Sequence, residues 1–221
     1  MTNFDLLRFQ HPFTAIISGP TGSGKTVLTR NVLQDFKNLT TIKKDQLKVT
    51  WCYGQWQETY NKQLPNVFIE HVEGLISEQE MEENRPDVIV IDDLMSELAG
   101  DKRMTNLFTK VSHHRNISII FIVQNIFHQA KEMRTISLNS HYFFLLKNPR
   151  DKMQVQAFGR QMFPDNIKYF MEAYEDATIK PFSYLLVDLY PTCPENHRLR
   201  SRITTSETIK HDYSPIVYLP K

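Results

Sequence analysis

The eight residues GPTGSGKT, from Gly19 to Thr26, constrain the fold of this chain more than any other stretch. They match the pattern G-x-x-x-x-G-K-[ST], in which a glycine-rich loop turns successive backbone N–H groups towards phosphate oxygens. An apolar run, FTAIIS, precedes the loop and an amphipathic stretch follows it, which is the strand–loop–helix setting that the motif requires. The sequence therefore predicts a site for a nucleoside triphosphate at the end of a strand.

Each residue type in this loop has a chemical reason to be there. Gly22 and Gly24 are expected to adopt backbone angles that other residues resist. Lys25 is expected to reach the β- and γ-phosphates, and Thr26 to place a hydroxyl on Mg²⁺. The next helix points its positive N-terminal end at the anion. The predicted nucleotide-binding residues are Gly19, Pro20, Thr21, Gly22, Ser23, Gly24, Lys25 and Thr26.

Two further apolar runs end in polar residues. DVIVIDDL ends in Asp92 and Asp93, and ISIIFIVQN carries Gln124 at its end. Asp92 is predicted to be the second protein anchor of Mg²⁺, through a bound water. Asp93 is predicted to orient and deprotonate the attacking water, although glutamate is more usual there and has a longer reach. Gln124 is predicted to lie beside the γ-phosphate, where it positions water and senses hydrolysis.

Apolar runs alternate with helical patterns along the chain, which predicts βαβ units and a mainly parallel sheet. The order of P-loop, Asp92 strand and Gln124 strand suits hydrolases with an extra strand between the P-loop strand and the acidic strand. We therefore expect an α/β P-loop NTPase of the ASCE/RecA-like class, a three-layer sandwich with a strand between the P-loop strand and the Asp92 strand. No guanine-specific N/T-K-x-D motif is found, which disfavours a GTPase. The predicted strands are Phe13–Ser18, Leu47–Tyr53, Val67–Val72, Asp87–Asp92, Ile117–Gln124, His141–Lys147 and Phe182–Leu189. The predicted helices are Lys25–Phe36, Lys102–His114 and Asp151–Met162, and Asp151 is the predicted N-cap of the last one.

Residues 1–203 are predicted to form one P-loop ATPase domain, with 204–221 as a C-terminal arm or edge strand.

Cys52 and Cys193 are far apart and form no CxxC pair, so we expect two free thiols in a reducing compartment. No apolar run approaches the roughly 20 residues of a membrane span, and the N-terminus lacks a signal-peptide pattern. A soluble, non-secreted protein with no membrane partner is the expectation. The formal net charge of +1 means that any nucleic-acid binding must come from local patches or from a ring of subunits.

Ring ATPases complete their site with an arginine of the neighbouring subunit. Arg115 in SHHRN, just before the strand that ends at Gln124, is the first candidate, and Arg150 and Arg134 are weaker ones. Four basic residues lie in the connections after the Asp92 and Gln124 strands, where they could face a central pore and contact phosphates or simply form a solvated surface. They are Lys102, Arg103, Lys131 and Arg134.

Several longer stretches together resemble the FtsK/HerA-superfamily genome-packaging ATPases of double-stranded DNA viruses and virus-like transposons. They are HPFTAIISGPTGSGKT, DVIVIDDLM, the block from LFTKVSHHRN to LLKNPRD, and FGRQMFP. The resemblance is to the Polinton/adintovirus group, related to the poxvirus-type packaging ATPase, and it covers roughly residues 9–203. The P-loop is generic, whereas the block with SHHRN, VQN, RTISLNSHY and KNPRD is much more specific.

This resemblance implies an oligomeric ring that uses ATP and Mg²⁺ to pump double-stranded DNA into a preformed capsid, at a capsid or portal vertex. It implies location in the virion or in the cytoplasm or nucleus of a host cell. By position, Lys25 and Thr26 bind nucleotide and magnesium, and Asp92 holds the metal. Asp93 activates water, Gln124 senses the γ-phosphate, and Arg115 is the arginine supplied in trans.

Two other functions remain open at this point. A P-loop nucleotide or nucleoside kinase would need an acceptor pocket and an arginine-rich lid, and the sequence shows no compact lid. A nucleotide-gated assembly protein would bind ATP with little turnover, which the intact Lys25, Thr26, Asp92 and Asp93 disfavour. DNA stimulation of ATP hydrolysis separates a motor from both.

Overall fold

The computed structural model describes residues 7–94, 101–126, 131–205 and 215–220. Within these ranges nine strands form one sheet. They are β1 (Thr14–Ser18), β2 (Leu47–Tyr53), β3 (Val67–Glu73), β4 (Val88–Asp92), β5 (Ser118–Val123), β6 (Tyr142–Leu146), β7 (Tyr184–Asp188), β8 (Leu199–Ser201) and β9 (Ile216–Val217). Their spatial order is β3-β2-β4-β5-β1-β6-β7-β8-β9.

The sheet has a parallel part and an antiparallel part. Strands β1 to β6 pair with one another in parallel, whereas β7, β8 and β9 are added antiparallel beyond β6. The P-loop strand β1 lies between β5 and β6, and β5 separates it from β4, the Asp92 strand. This confirms the predicted intervening strand. The carboxyl ends of β1, β4, β5 and β6 consequently meet at one edge of the sheet.

Helices cover both faces of the sheet. The helices are α1 (Lys25–Gln34), α2 (Phe36–Leu39), α3 (Glu78–Asn84), α4 (Lys102–Asn106), α5 (Ser112–Arg115), α6 (Lys131–Leu138), α7 (Lys152–Met162) and α8 (Ile167–Ala177). One buried cluster joins α1 and α2 to one face, and a second joins α3, α4, α6, α7 and α8 to the other. Along β1, Ile16 belongs to one cluster and Ile17 to the other, since successive side chains of a strand point to opposite faces. The predicted three-layer α/β sandwich is confirmed.

The predicted elements differ from the observed ones mainly at their ends. The helix predicted over Lys25–Phe36 ends at Gln34, and α2 follows after Asp35. The helix predicted over Lys102–His114 contains a π-helical turn at Leu107–Val111. Helix α7 has the predicted N-cap, because the Asp151 carboxylate accepts a hydrogen bond from the Gln154 backbone N–H at 3.1 Å.

The described part of the C-terminal stretch packs on its own chain. Ile216–Val217 pairs with β8 as an edge strand, one of the two predicted alternatives. Tyr169 on α8 donates a hydrogen bond from its hydroxyl to the Tyr218 carbonyl at 2.6 Å. The domain boundary at 203 stays a prediction.

Both cysteines are unpaired and buried, as expected. In the parts of the chain that the structure describes, no helix has the length and apolar character needed to cross a membrane.

Candidate nucleotide-binding site

The glycine-rich loop connects the buried strand β1 to α1 at the carboxyl edge of the sheet. Gly22 and Gly24 have φ angles of 76° and 94°, the left-handed region that glycine enters without a steric cost. The Gly19 N–H donates to the Val123 carbonyl at 3.2 Å, which fixes the start of the loop against the end of β5. Helix α1 begins directly after Gly24, so its unpaired N-terminal N–H groups face the loop.

Lys25 lies across this loop. Its Nζ donates hydrogen bonds to the Gly19 carbonyl at 2.7 Å and the Pro20 carbonyl at 3.0 Å. Burial lowers the pKa of Lys25, and the carboxylates of Asp92 and Asp93 act in the opposite direction. Lys25 is the basic group of a cleft that also contains two carboxylates, a combination that suits a metal-bound polyphosphate.

Asp92 ends β4 and is 3% exposed. Its Oδ2 accepts hydrogen bonds from the Thr26 hydroxyl at 3.4 Å and from the Tyr60 hydroxyl at 2.9 Å. Burial raises the pKa of Asp92, while the hydrogen bond from Tyr60 lowers it. A hydroxyl and a carboxylate are hard oxygen ligands of the kind that Mg²⁺ takes. Thr26 and Asp92 thus fit the magnesium site predicted for them.

A P-loop on β1, a buried aspartate on β4 and a strand between them are now all observed. The chain has the fold of the P-loop nucleoside triphosphatases. This assignment rests on the order of its own strands and on the loop geometry.

No family model matches the chain, and no curated protein matches it significantly. Solved structures resemble it at low identity. The genome packaging NTPase B204 from Sulfolobus turreted icosahedral virus 2, in complex with sulfate, is 11% identical, with coverage of 80% of this chain and 92% of that chain and a TM-score of 0.49. Flagellar accessory protein FlaH from Methanocaldococcus jannaschii is 18% identical, with coverage of 61% and 70% and a TM-score of 0.44. The ATPase DotB from Legionella pneumophila is 11% identical, with coverage of 63% and 42% and a TM-score of 0.41.

Asp93 and Gln124, the two residues predicted to position the attacking water, line the same cavity as the P-loop. This cavity measures about 480 Å³, and its lining includes Lys25, Thr26, Asp92, Asp93 and Gln124. Asp93 is exposed and has a φ of 57°, a conformation that non-glycine residues seldom adopt and that is concentrated at functional sites. Gln124 directly follows β5, between β1 and β4. The structure therefore brings together Lys25, Thr26 and the three polar strand-end residues.

The structure does not bring the candidate arginines to this cavity. Arg115 ends α5 and forms an ion pair with Glu82, with 3.1 Å between Nη2 and Oε1. It precedes β5, so about 20 Å of strand separates it from the cavity of its own chain. Arg150 follows β6 in an exposed turn at the carboxyl edge, and Arg134 is exposed on α6.

Tyr60 is a site residue that the sequence analysis missed. It lies in the 3₁₀ turn Glu58–Asn61 after β2, and its hydroxyl is the donor to Asp92. Burial raises the pKa of Tyr60, so its hydroxyl stays protonated near neutral pH and remains a donor. Arg30 of α1 donates to the carbonyl of Lys62, which ties this turn to the P-loop helix. No local pattern separates Tyr60 from its aromatic neighbours in WCYGQWQETY; only the contact with Asp92 does.

Phe182 is the second missed residue. It lies in the connection between α8 and β7, and its ring lies against Gly24 and lines the cavity. The sequence analysis placed it at the start of a predicted strand, whereas β7 begins at Tyr184.

Proposed function

We propose that this protein is an ATP-hydrolysing motor that moves double-stranded viral DNA into a preformed capsid. The observation that carries the hydrolytic part is the hydrogen bond between Thr26 and Asp92 beneath the P-loop, with Asp93 and Gln124 lining the same cavity. The DNA-translocating part rests on the sequence resemblance to FtsK/HerA-superfamily packaging ATPases of the Polinton/adintovirus group.

In this proposal each of the chain's residues at the cleft has a separate role in binding or hydrolysis. The loop N–H groups and the Lys25 ammonium bind the phosphate oxygens of ATP. Mg²⁺, held by Thr26 and Asp92, would supply the charge that neutralises the phosphates. The Asp93 carboxylate orients a water and takes its proton, and the Gln124 amide hydrogen-bonds the same water and the terminal phosphate.

We further propose that the active form is a homo-oligomeric ring at the capsid or portal vertex, in the virion or at the assembly site of a host cell. Arg115 would then contact the site of the neighbouring subunit, because it is too far from its own. Exposed basic residues of the connections after β4 and β5 would contact DNA phosphates in the pore. Among them, Arg103 forms an exposed ion pair with Asp101, which a phosphate can replace at little cost.

The experiment that tests this function is ATP hydrolysis by the purified protein, with and without linear duplex DNA, over a range of protein concentrations. We expect turnover that rises cooperatively with concentration and is stimulated by DNA. Lys25→Ala, the control, should keep the fold and lose turnover. Transfer of phosphate to a small acceptor instead of water would support a kinase. ATP binding without turnover would support an assembly protein.

A further inference from the structure

An exposed aromatic ring lies directly beside the P-loop. A β-carbon added to Gly24 would lie 3.2 Å from Cδ1 of Phe182, so the ring is in contact with the loop backbone. Phe182 is nevertheless 67% exposed, and it lines the cavity that contains Lys25 and Asp92. Its ring therefore offers an apolar face to whatever enters the cavity.

The backbone of Phe182 is held in an unfavourable conformation. Its φ is 63°, in the left-handed region where a bulky residue is a genuine outlier. Two contacts fix the turn around it. The Ser183 hydroxyl donates to the Lys180 carbonyl at 2.6 Å, and Lys147, after the end of β6, donates to the Ile179 carbonyl at 2.9 Å. Strain of this kind, held in place by surrounding contacts, is characteristic of ligand sites.

The order of strands gives the cavity two chemically different sides. Asp92 on β4 and Gln124 after β5 lie to one side of β1, whereas Phe182 precedes β7, beyond β6 on the other side. The first side has the carboxylates and the amide that suit the metal and the terminal phosphate. When the terminal phosphate of a nucleoside triphosphate binds on this first side, the nucleoside at its other end lies towards β6 and β7.

Val27 adds a second apolar side chain to the cavity. It lies in the first turn of α1, is 53% exposed and lines the same cavity as Phe182. Two exposed hydrophobic side chains and several charged and polar groups in one cavity match a ligand with a flat apolar part and a charged tail.

We propose that the aromatic base of the nucleotide stacks on the ring of Phe182, with Val27 at the edge of the same subsite. This inference rests on the proposed nucleotide function and assigns the base-binding part of that site. Stacking uses the π-face that all bases share, so Phe182 contributes affinity for the nucleoside and little choice among bases.

The test compares two ligands that differ in the nucleoside. Dissociation constants for β,γ-methylene-ATP and for inorganic tripolyphosphate, both with Mg²⁺, are measured by calorimetry on the full chain and on Phe182→Ala. We expect Phe182→Ala to weaken binding of the ATP analogue about 5- to 150-fold, the range of base–aromatic stacking. Binding of tripolyphosphate, which has no base, should not change.

Three variants sharpen this test. Phe182→Trp should retain the affinity, and its added fluorescence should change with the ATP analogue and not with tripolyphosphate. Phe182→Leu keeps apolar bulk without a flat ring, so it should lose most of the affinity for the analogue. Phe68→Ala removes a phenylalanine that is 58% exposed on β3, near the other end of the sheet, and should change neither constant.

The outcomes separate this inference from the proposed function. Unchanged affinity of Phe182→Ala or Phe182→Leu for the ATP analogue would overturn the stacking role, while the phosphate site would stand. Equal affinity of the unaltered protein for the two ligands would do the same. If the unaltered protein binds neither ligand, the proposed function is wrong and the inference falls with it.

Discussion

At the scale of single residues, the site depends on how the buried carboxylate of Asp92 is held. Its Oδ2 accepts hydrogen bonds from two hydroxyls that come from different parts of the chain, Thr26 and Tyr60. Thr26 belongs to the P-loop itself, whereas Tyr60 belongs to the 3₁₀ turn after β2. Groups that orient a metal ligand without touching the metal commonly contribute to metal affinity through that orientation.

Tyr60→Phe removes the hydroxyl and keeps the ring. We expect the Mg²⁺ concentration for half-maximal ATP hydrolysis to rise about tenfold, because the Asp92 carboxylate loses a donor that fixes its orientation. The measurement is a Mg²⁺ titration at constant ATP. Tyr53→Phe is the matched control, since the Tyr53 ring belongs to the same aromatic cluster and its centroid lies 5.9 Å from that of Tyr60. An unchanged titration in Tyr60→Phe would show that Thr26 alone orients Asp92.

At the scale of secondary-structure elements, α7 and α8 approach each other at a glycine. A β-carbon on Gly159 of α7 would lie 2.3 Å from Cδ1 of Phe170 and 2.8 Å from Cδ1 of Ile167. Phe170 is fully buried on α8, so its ring has no open space to move into. Packing thus requires glycine here, although alanine is the better helix former.

We expect Gly159→Ala to lower the free energy of unfolding by about 1–3 kcal/mol, the usual cost of overpacking a core. Urea denaturation measures it. Helix propensity alone would give the opposite sign, a gain of about 1 kcal/mol. Ala157→Gly, at an exposed position of the same helix, measures that propensity effect by itself. A gain of stability in Gly159→Ala would contradict the close helix contact.

His141, the residue just before β6, is expected to make the stability of the protein depend on pH. The Nδ1 of His141 accepts a hydrogen bond from the backbone N–H of Thr14 at 3.1 Å. The Thr14 hydroxyl, which donates to the Asn139 carbonyl at 2.6 Å, lies 3.0 Å from the same nitrogen. The bond to Nδ1 needs a neutral imidazole with a free Nδ1 lone pair. Burial lowers the pKa of His141 from 6.5 to about 4, and the neighbouring His113 adds to this. The unfolded chain therefore binds a proton at His141 at a higher pH than the folded chain does.

Because the unfolded state binds more protons between pH 6.5 and about 4, stability conferred by neutral His141 is lost as the pH falls through that window. His141→Asn keeps an acceptor near Nδ1 and does not titrate. We expect the difference in unfolding free energy, unaltered protein minus variant, to decrease steadily from pH 6.5 to 4. A difference that stays constant over this range would contradict the buried neutral histidine.

At the scale of the whole molecule, the cleft of one chain contains no arginine among its described lining residues. Arg115 lies at the amino ends of the strands and the cleft at their carboxyl ends. In a ring, however, each subunit meets its neighbour with a different face, so an arginine remote from its own site can complete the next one. Arg150 lies in an exposed turn at the carboxyl edge and is not among the described lining residues of the cleft.

We expect Arg115→Ala and Asp93→Asn each to abolish turnover and to recover part of it when mixed. Asn tolerates the left-handed backbone of Asp93, so this variant removes charge without adding strain. In an equal mixture about one quarter of interfaces combine an intact Asp93 with an intact Arg115 of the neighbour. Turnover of the mixed rings is the measurement. Arg150→Ala, which changes an exposed arginine outside the described lining of the cleft, should keep turnover on its own. Full activity of Arg115→Ala alone would place the trans arginine elsewhere.

Local patterns alone predicted much of this protein. The P-loop, the apolar strands that end at Asp92 and Gln124, and the N-cap at Asp151 all follow from neighbouring residues, because sterics, periodicity and capping act over a few positions. From the order of motifs, the sequence also predicted the strand between β1 and β4. It did not predict the antiparallel direction of β7 to β9, since an apolar run has the same composition in either direction.

Only the tertiary structure decided which distant side chains complete the cleft. Tyr60 reaches Asp92 across 32 positions of sequence, and Phe182 reaches Gly24 from the far end of the chain. Such contacts depend on the order in which strands assemble and on the path of the connections between them. The spacing of residues along one segment predicts neither the order of the strands nor the path of the connections. The phosphate-binding end of the site could therefore be predicted from the sequence. The hydrogen bond from Tyr60 to Asp92 and the contact of Phe182 with the P-loop became apparent only in the fold.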